Sequence, residues 1–206
     1  MKIFRKMYTI EQIKHFIESF INFDNIEYCG SGDDSEAYCV NNNIVVKFPK
    51  NNIANKCIQN EIIILNELQN KFELEIPNVL FNGTFLIKNK EYTFFGSKKL
   101  NGINLSKNDF LNLGEKKLKN NAKILANFLR TLHSIKNIKN NVLLHNDLSL
   151  NHILFKDGNI IGILDFADSK YGKYEKDFKY LMDNNDPEEF GKSFGEMVLR
   201  YYLNIK

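Results

Sequence analysis

The spacing of apolar side chains along the chain predicts strands in its first half, beginning after one short helix. A Thr9-x-x-Gln12 capping signal, followed by apolar residues at the 3.6-residue period, predicts a helix over Thr9–Asn22. Three β-rich segments joined by turn-forming residues follow at Ile26–Cys29, Glu36–Val40 and Ile44–Phe48. These segments predict a three-stranded antiparallel meander.

The pattern then predicts one inserted helix and two more strands before it changes character. A helical stripe covers Ile53–Phe72, and two strand-like runs flank the turn Lys88-Asn89-Lys90. Gly96–Gly102 is interpreted as a connector, after which a helix is predicted over Glu115–Ile135. The first half therefore predicts an antiparallel sheet with one inserted helix.

The second half is mainly helical apart from one hairpin. Apolar runs on both sides of Asp157-Gly158, a strong turn signal, predict a hairpin over Ile153–Leu164. Two further helices are predicted at Glu175–Met182 and Glu188–Tyr202. We expect an α+β fold with a β-rich N-lobe at 1–95, a hinge at 96–102 and a mainly helical C-lobe at 103–206.

Composition indicates a folded protein of the cytoplasm. The hydrophobic content of 43% and the charged content of 26% are ordinary for a globular chain. No apolar run approaches the ~18–20 residues that would span a bilayer. The basic start Met1–Lys6 leads into polar residues instead of an apolar signal-peptide core, and three cysteines without a spaced pair suit a reducing compartment. We therefore expect no membrane partner.

Charge is distributed unevenly along the chain. The formal net charge of +3 is too small to indicate a nucleic-acid partner. The segment Asp165–Glu189 contains eight acidic residues and four lysines, so it has a net charge of −4 and leaves +7 for the remainder. An acidic segment joined to a basic remainder could seat a cationic ligand beside an anionic one. A solvated acidic helix face is the alternative interpretation.

The strongest chemical signal is a cluster of polar residues around the predicted hairpin. Pairing across Asp157-Gly158 places Ile163 opposite His152, so Asp165 lies just beyond the strand end on the same side. Diagonal neighbours in a hairpin are ~7–8 Å apart, so these two side chains could hold one ion between them. Asp147 lies in the loop that enters the hairpin.

This pattern resembles the aminoglycoside phosphotransferase and choline kinase branch of the protein-kinase-like fold. His145-Asn146-Asp147 corresponds to its His-x-Asp signature, a metal ligand follows five residues after the Asp, and an Asp ends the next hairpin. The pattern is most similar to the bacterial 2''-aminoglycoside phosphotransferases, in which His replaces the usual metal-binding Asn. The resemblance implies that Asp147 is catalytic and that His152 and Asp165 bind the metal, with Asn151 as the alternative ligand.

The resemblance extends to the first half of the chain. Gly30-Ser31-Gly32-Asp33-Asp34-Ser35 lies between two predicted strands, like the family's nucleotide-positioning loop. Lys47 corresponds to the lysine that contacts the α- and β-phosphates, and Glu61 to the carboxylate that holds it. An unpartnered lysine is costly to bury in an apolar strand, which independently favours such a partner. The residues that the resemblance implies for nucleotide binding are Gly30, Ser31, Gly32, Ser35, Lys47, Glu61, Ser97, Lys98 and Leu100.

The implied activity is Mg²⁺-dependent transfer of the γ-phosphate of ATP or GTP to a hydroxyl of a cationic small molecule. An aminoglycoside is the first candidate acceptor, which would make the protein an antibiotic-resistance enzyme, and we expect a monomer without a nucleic-acid partner. Asp147 would orient the acceptor hydroxyl and take its proton, with orientation as its main contribution because a free Asp is a weak base. Asp177 resembles a family position that braces the site.

Several alternatives remain open at this stage. One is a truncated or regulatory nucleotide-binding protein without turnover, and another is a kinase of a different small amine or sugar. A protein kinase is disfavoured because the segment after Asp165 is short and contains no Ala-Pro-Glu. Two departures concern the acceptor: the chain stops at Lys206, before the last helices of the family fold, and Asn146 and Ala167 replace the glycines of His-Gly-Asp and Asp-Phe-Gly.

Overall fold

The computed structural model describes residues 7–204, so the basic start Met1–Lys6 lies outside the described residues. The chain forms two compact units, one made of residues 7–67 and 77–100 and the other of residues 68–76 and 101–204. The chain passes finally into the second unit after Leu100. The sequence pattern did not predict that residues 68–76 also belong to the second unit. The architecture is α+β, as predicted.

The first unit is an antiparallel sheet with two helices. Its strands lie in the order β1-β2-β3-β5-β4. The meander of the first three strands confirms the prediction, and the fifth strand pairs with the third. The elements are α1 (Ile10–Ile17), β1 (Ile26–Ser31), β2 (Ser35–Val40), β3 (Ile44–Pro49), α2 (Asn52–Leu68), β4 (Val79–Ile87) and β5 (Lys90–Lys98).

The first helix begins at the predicted cap and ends earlier than predicted. Thr9 accepts a hydrogen bond from the Gln12 amide, and the Gln12 side chain accepts one from the Thr9 amide, which completes a capping box. The helix ends at Ile17 instead of Asn22. Beyond it, the Phe20 ring stacks on Phe81 at 5.6 Å between centroids. Aromatic packing on the sheet therefore replaces the last predicted turn.

Aromatic side chains form the core of the first unit. Phe48 stacks on Phe94 at 5.1 Å between ring centroids, and Tyr8 lies 5.5 Å from Phe48. All three side chains are buried. This core supports the inner face of β3, the strand that carries Lys47.

The predicted connector beginning at Gly96 is wrong for its first three residues. Gly96, Ser97 and Lys98 lie in β5 and pair with β3. The cause is the Phe81 ring, which covers Gly96 so closely that an added Cβ would lie 2.3 Å from it. A glycine beneath an aromatic ring is consistent with a strand, although the sequence pattern suggested a turn.

The second unit is mainly helical and contains two small two-stranded sheets. The predicted hairpin is present, and α4 packs against α6. The short β6–β9 pair and α3 were not predicted. The elements are α3 (Lys107–Leu111), α4 (Glu115–Ser134), β6 (Val142–Leu144), β7 (Ile153–Lys156), β8 (Asn159–Ile163), β9 (Lys170–Gly172), α5 (Glu175–Leu181) and α6 (Lys192–Tyr202).

Two further predicted helices are shorter than expected. The helix predicted to Phe72 ends at Leu68, and Phe72 stacks on Phe128 of α4 at 4.8 Å. The helix predicted from Glu188 begins at Lys192. Within residues 7–204, no helix is both long and apolar enough to cross a membrane.

Candidate active site

The glycine-containing loop connects β1 to β2 in the first unit. Its Gly32 amide donates to the Ser35 carbonyl at 3.1 Å, which closes the loop. A Cβ added at Gly30 or Gly32 would meet no atom within 4 Å, so the backbone at both positions is open to a ligand. Ser31 is exposed and Ser35 begins β2. The four loop residues implied for nucleotide binding therefore lie together.

A lysine that the sequence analysis missed also lies at this loop. The Lys50 ammonium donates to the Gly32 carbonyl, and the Lys50 amide donates to the Asp34 carbonyl at 2.9 Å. Asp33 and Asp34 add negative charge to a loop expected to bind phosphates, and the Lys50 ammonium offsets it. The only sequence signal was a lysine one residue beyond β3.

Lys47 and Glu61 form an ion pair within the first unit. The Lys47 Nζ lies 2.9 Å from Glu61 Oε1 and 3.0 Å from Glu61 Oε2. Glu61, on α2, is 1% exposed, and the Lys47 side chain retains 19% exposure. A two-oxygen contact from a buried carboxylate restricts the ammonium strongly. Lys47 is thereby held with part of its side chain open to solvent.

The remaining first-unit candidates lie at the end of β5. Ser97 is buried and pairs with Val45, whereas Lys98 pairs with Ile44 and is exposed. Leu100 is half-buried and is the last residue of the first unit. These three residues share one strand end and its continuation. Their assignment to nucleotide binding stays a prediction.

The hairpin of the second unit has a different register from the predicted one. Lys156 pairs with Asn159, as predicted, but Ile163 pairs with Ile153 instead of His152. The shift arises from a bulge at Ile161, whose carbonyl accepts a hydrogen bond from the Glu75 amide at 3.0 Å. Since Glu75 is distant in sequence, no local pattern reveals this extra residue.

Asp147, His152 and Asp165 nevertheless converge in the second unit. His152 Nδ1 lies 2.7 Å from the Asp147 carbonyl and 3.5 Å from Asp147 Oδ2. His152 Nε2 lies 3.7 Å from Asp165 Oδ2. Asp165 has a left-handed φ of +61°, which changes the direction of the chain directly after the hairpin. Asn151, the alternative ligand, is exposed.

The environment of Asp147 increases its basicity. Partial burial raises the pKa of Asp147 above its usual value, and the charges of Asp168, Asp165 and Glu188 raise it further against the lowering effect of His152. A carboxylate with a raised pKa is a better proton acceptor at neutral pH. The catalytic role of Asp147 stays a prediction.

Asp177 holds the backbone that precedes Asp147. Its Oδ2 accepts from the His145 amide at 3.0 Å, and its Oδ1 accepts from the Asn146 amide at 2.7 Å. Asn146 has a left-handed φ of +66°. This explains why Asn replaces the family's glycine there, since Asn is among the residues that adopt this conformation most readily.

A loop rich in acidic residues adjoins residues 145–152, the segment that carries Asp147 and His152 and is called the catalytic loop below. This acidic loop, residues 182–191, connects α5 to α6, so the acids at its centre do not form the helix face considered above. The Leu150 amide donates to the Glu188 carbonyl at 2.8 Å, which fixes the acidic loop beside the segment that carries Asp147 and His152. The Lys107 ammonium donates to the Asn184 and Asp186 carbonyls at 3.0 and 2.7 Å. The sequence pattern did not single out Lys107.

Comparisons with known proteins agree with this geometry. Residues 136–206, which contain the whole Asp147–Asp165 cluster, match the family model APH, described as the phosphotransferase enzyme family. The match is confined to this part of the chain, which is therefore similar to that family. The fold is the kinase-like fold of solved aminoglycoside phosphotransferases.

Three solved structures show how far the likeness of the whole chain extends. The streptomycin–ATP complex of APH(2")-IIa is 24% identical, with a TM-score of 0.80 over 97% of this chain and 85% of that chain. The GDP complex of wild-type aminoglycoside 2'-phosphotransferase-IIIa is 20% identical, with a TM-score of 0.81 over 95% and 83%. The macrolide 2'-phosphotransferase MphH from Brachybacterium faecium is 11% identical, with a TM-score of 0.65 over 94% and 81%. These identities establish the fold alone.

The donor chemistry of the cluster formed by Asp147, His152 and Asp165 fits a magnesium ion held by few protein ligands. Because the Asp147 carbonyl can only accept, His152 Nδ1 carries the proton of this bond, and in the tautomer that is protonated only there the lone pair lies on Nε2, the atom nearest Asp165. A backbone carbonyl that orients a ligating histidine is a common supporting contact. Within residues 7–204, no group of three or more His, Cys, Asp or Glu side chains is arranged as a metal site. Mg²⁺ tolerates this, since it takes one or two protein ligands plus phosphates and water.

Asn104 supports the same region and had no recognisable sequence signal. Its side-chain amide donates to the Asn151 and Ile153 carbonyls, both at 2.8 Å. These bonds hold the backbone on both sides of His152. Asn104 therefore helps to position the histidine ring, although it lies far from it in sequence.

A separate cavity of about 740 Å³ lies elsewhere in the second unit. It is bounded by residues 71–75, by one face of α4 and by Ile160 and Ile161. Asp147, His152 and Asp165 do not line it. The cavity is therefore distinct from the residues implied for phosphate chemistry.

Proposed function

We propose that this protein is a phosphotransferase that moves the γ-phosphate of ATP or GTP to a hydroxyl of a cationic small molecule, with an aminoglycoside as the first candidate. The observation that carries the proposal is the convergence of Asp147, His152 and Asp165, with His152 between the two carboxylates at 3.5 and 3.7 Å. Phosphoryl transfer depends mainly on positioning and on charge stabilisation. This cluster supplies a base and two potential metal ligands.

Asp147 acts as the base in this proposal. Its carboxylate accepts a hydrogen bond from the acceptor hydroxyl and takes the proton as the hydroxyl oxygen bonds to the γ-phosphorus. The bond from that phosphorus to the bridging oxygen breaks, and the nucleoside diphosphate leaves. The raised pKa of Asp147 supports this role.

Asp165 and His152 would hold Mg²⁺, and Lys47 would contact the α- and β-phosphates. When bound, the ion neutralises charge on the phosphate oxygens. Asp165 would contribute a carboxylate oxygen and His152 its Nε2 lone pair. Glu61 keeps the Lys47 ammonium in one place, and Lys50 adds a cation at the glycine loop.

The acidic loop supports a cationic acceptor. Asp183, Asp186 and Glu188 are exposed, whereas Glu189 is buried. The Leu150–Glu188 backbone bond keeps these carboxylates near the catalytic loop. An aminoglycoside has several ammonium groups at neutral pH, so this negative charge would attract it.

The primary test is a nucleotide-depletion screen of purified protein against aminoglycosides, macrolides, choline-like amines and small sugars. We expect Mg²⁺-dependent phosphorylation of an aminoglycoside, identified by mass spectrometry. Asp147→Asn should abolish transfer while the affinity for Mg²⁺-nucleotide stays within a few-fold. Asp157→Asn, the same change at the hairpin turn, is the matched control and should retain activity. Binding of Mg²⁺-nucleotide without transfer to any acceptor would contradict the proposal and favour a protein without turnover.

The metal ligands have a separate test. Asp165→Ala should impair Mg²⁺-dependent nucleotide binding itself. His152→Ala should weaken the Mg²⁺ dependence, whereas Asn151→Ala should not. Normal Mg²⁺-nucleotide binding by the Asp165 variant would exclude Asp165 as a ligand, and a stronger effect at Asn151 would move the assignment by one residue.

The acceptor charge can be tested by neutralising Asp183, Asp186, Glu188 and Glu189 together. The KM for a cationic acceptor should rise while the nucleotide KM stays nearly constant. Added salt should have the same effect on the acceptor KM, since exposed charges are screened beyond ~8–10 Å at physiological ionic strength. If the acceptor KM responds to neither change, the acceptor is not recognised by its charge.

A further inference from the structure

A continuous chain of hydrogen bonds connects α6 to the backbone before Asp147. The Tyr202 hydroxyl lies 3.1 Å from His133 Nδ1, and His133 Nε2 lies 2.9 Å from Asp177 Oδ2. Asp177 in turn accepts from the His145 and Asn146 amides at 3.0 and 2.7 Å. The chain thus passes from the last described helix through α4 and α5 to the catalytic loop.

The donors and acceptors along this chain are determined by the carboxylate. Asp177 in its ionised form only accepts, so the proton of the His133–Asp177 bond belongs to His133 Nε2. In the neutral ring Nδ1 is then an acceptor, and the Tyr202 hydroxyl donates to it. Each nitrogen of His133 therefore has one partner, and the ring cannot rotate without losing both bonds.

Burial and aromatic packing stabilise the same chain. His133 is 3% exposed and Asp177 is fully buried. The Tyr202 ring stacks on Tyr174 at 5.5 Å and meets Phe178 edge-on at 5.1 Å. Tyr174 and Phe178 flank Asp177 in sequence, so Tyr202 packs against the helical turn that carries the carboxylate.

We propose that His133 and Tyr202 are positioning residues for Asp147. They hold the Asp177 carboxylate in place, and this carboxylate holds the left-handed backbone at Asn146. The backbone at Asn146 in turn sets the orientation of Asp147, the next residue. Neither residue reaches the reacting groups, so their effect is on the geometry of the base. The kinetic part of this inference rests on the proposed function, whereas the effect on the backbone amides does not.

The first test removes only the hydroxyl. In Tyr202→Phe the ring packing remains and the bond to His133 is lost. We expect kcat to fall about 3- to 10-fold, as the loss of one hydrogen bond would produce, with both KM values unchanged. Tyr201→Phe is the matched control, because the Tyr201 ring faces Lys123 at 5.4 Å and would keep this contact as Phe. The control should retain the original kcat.

The second test exchanges the imidazole. His133→Leu removes both bonds and should lower kcat about 10- to 100-fold. In His133→Gln the amide NH₂ can donate to Asp177 while the amide oxygen accepts from Tyr202. The glutamine variant should therefore recover part of the activity, and equal activity of the two variants would contradict the positioning role.

Hydrogen exchange tests the inference without turnover. Tyr202→Phe and His133→Leu should speed exchange of the His145 and Asn146 amides while leaving the β7–β8 hairpin unchanged. Faster exchange throughout the second unit would instead show a structural role only and overturn the proposal. Unchanged exchange at both amides would overturn it as well, whatever the acceptor proves to be.

Discussion

Replacing Asn146 tests whether the left-handed backbone before Asp147 is needed for catalysis. The residue has a φ of +66°, and its amide donates to Asp177 Oδ1 at 2.7 Å. The Asp177 contact holds the chain in this conformation whichever side chain is present. A side chain that disfavours this conformation must therefore either lower the free energy of unfolding or loosen the loop.

The expected size follows from the cost of the left-handed region. That conformation costs about 1–2 kcal/mol for an ordinary residue with a Cβ, and less for Asn. Asn146→Ala should therefore lose about 1 kcal/mol, and Asn146→Val about 2 kcal/mol because its Cβ is branched. Asn146→Gly should stay near neutral, since relief of strain is offset by the greater entropy of the unfolded chain.

The assay combines thermal unfolding with steady-state kinetics. For a chain of about 150–250 residues, 1 kcal/mol corresponds to about 2–4 °C in Tm, so Ala should lower Tm by that amount and Val by about twice as much. The kcat should follow the order Gly and Asn above Ala above Val. Asn108→Ala, an exposed helical site on α3, is the control.

Equal Tm and kcat for the Asn, Gly, Ala and Val forms would refute this reasoning. It would mean that the loop adopts another backbone conformation at little cost. A drop in kcat without any change in Tm would also be informative, because it would show that the loop loosens instead of storing strain. In that case Asp177 does not enforce the conformation.

Three further variants probe charged groups whose burial determines the outcome. Lys47→Met should lower the free energy of unfolding by about 3–5 kcal/mol, because it removes the ammonium from a buried carboxylate, and should raise the nucleotide KM. Adding Glu61→Gln should restore the stability measured by urea unfolding but not the KM. Burial lowers the pKa of His145 from 6.5 to about 4, so the folded state binds fewer protons than the unfolded chain. The free energy of unfolding therefore falls by about 3 kcal/mol as pH drops from 7 to 4. In His145→Asn this fall, measured by urea unfolding, should be absent. Burial and neighbouring acids raise the pKa of Glu189 from 4.5 to about 8. The folded state therefore binds more protons than the unfolded chain, and the free energy of unfolding falls as pH rises through that interval. A steeper alkaline loss of stability in Glu189→Gln than in the original protein would contradict this assignment.

The elements that sequence alone determined are those stabilised by neighbouring residues. The capping box at Thr9 and Gln12 needs only contacts three residues apart, and the Asp157-Gly158 turn needs only two residues that accept a left-handed backbone. The presence of Asp147, His152 and Asp165 around one hairpin likewise follows from short spacings. For these features the local energetic preference and the final fold agree.

Features that depend on distant partners were decided by the tertiary structure. The bulge at Ile161 depends on its bond to Glu75, and this bulge alone changes which residue lies opposite Ile163. The raised pKa of Asp147 depends on burial and on charges brought near it by folding. The sequence contained each of these residues, but burial and contact over long separations are properties of the folded chain, so only the tertiary structure decided how the cluster is held and charged.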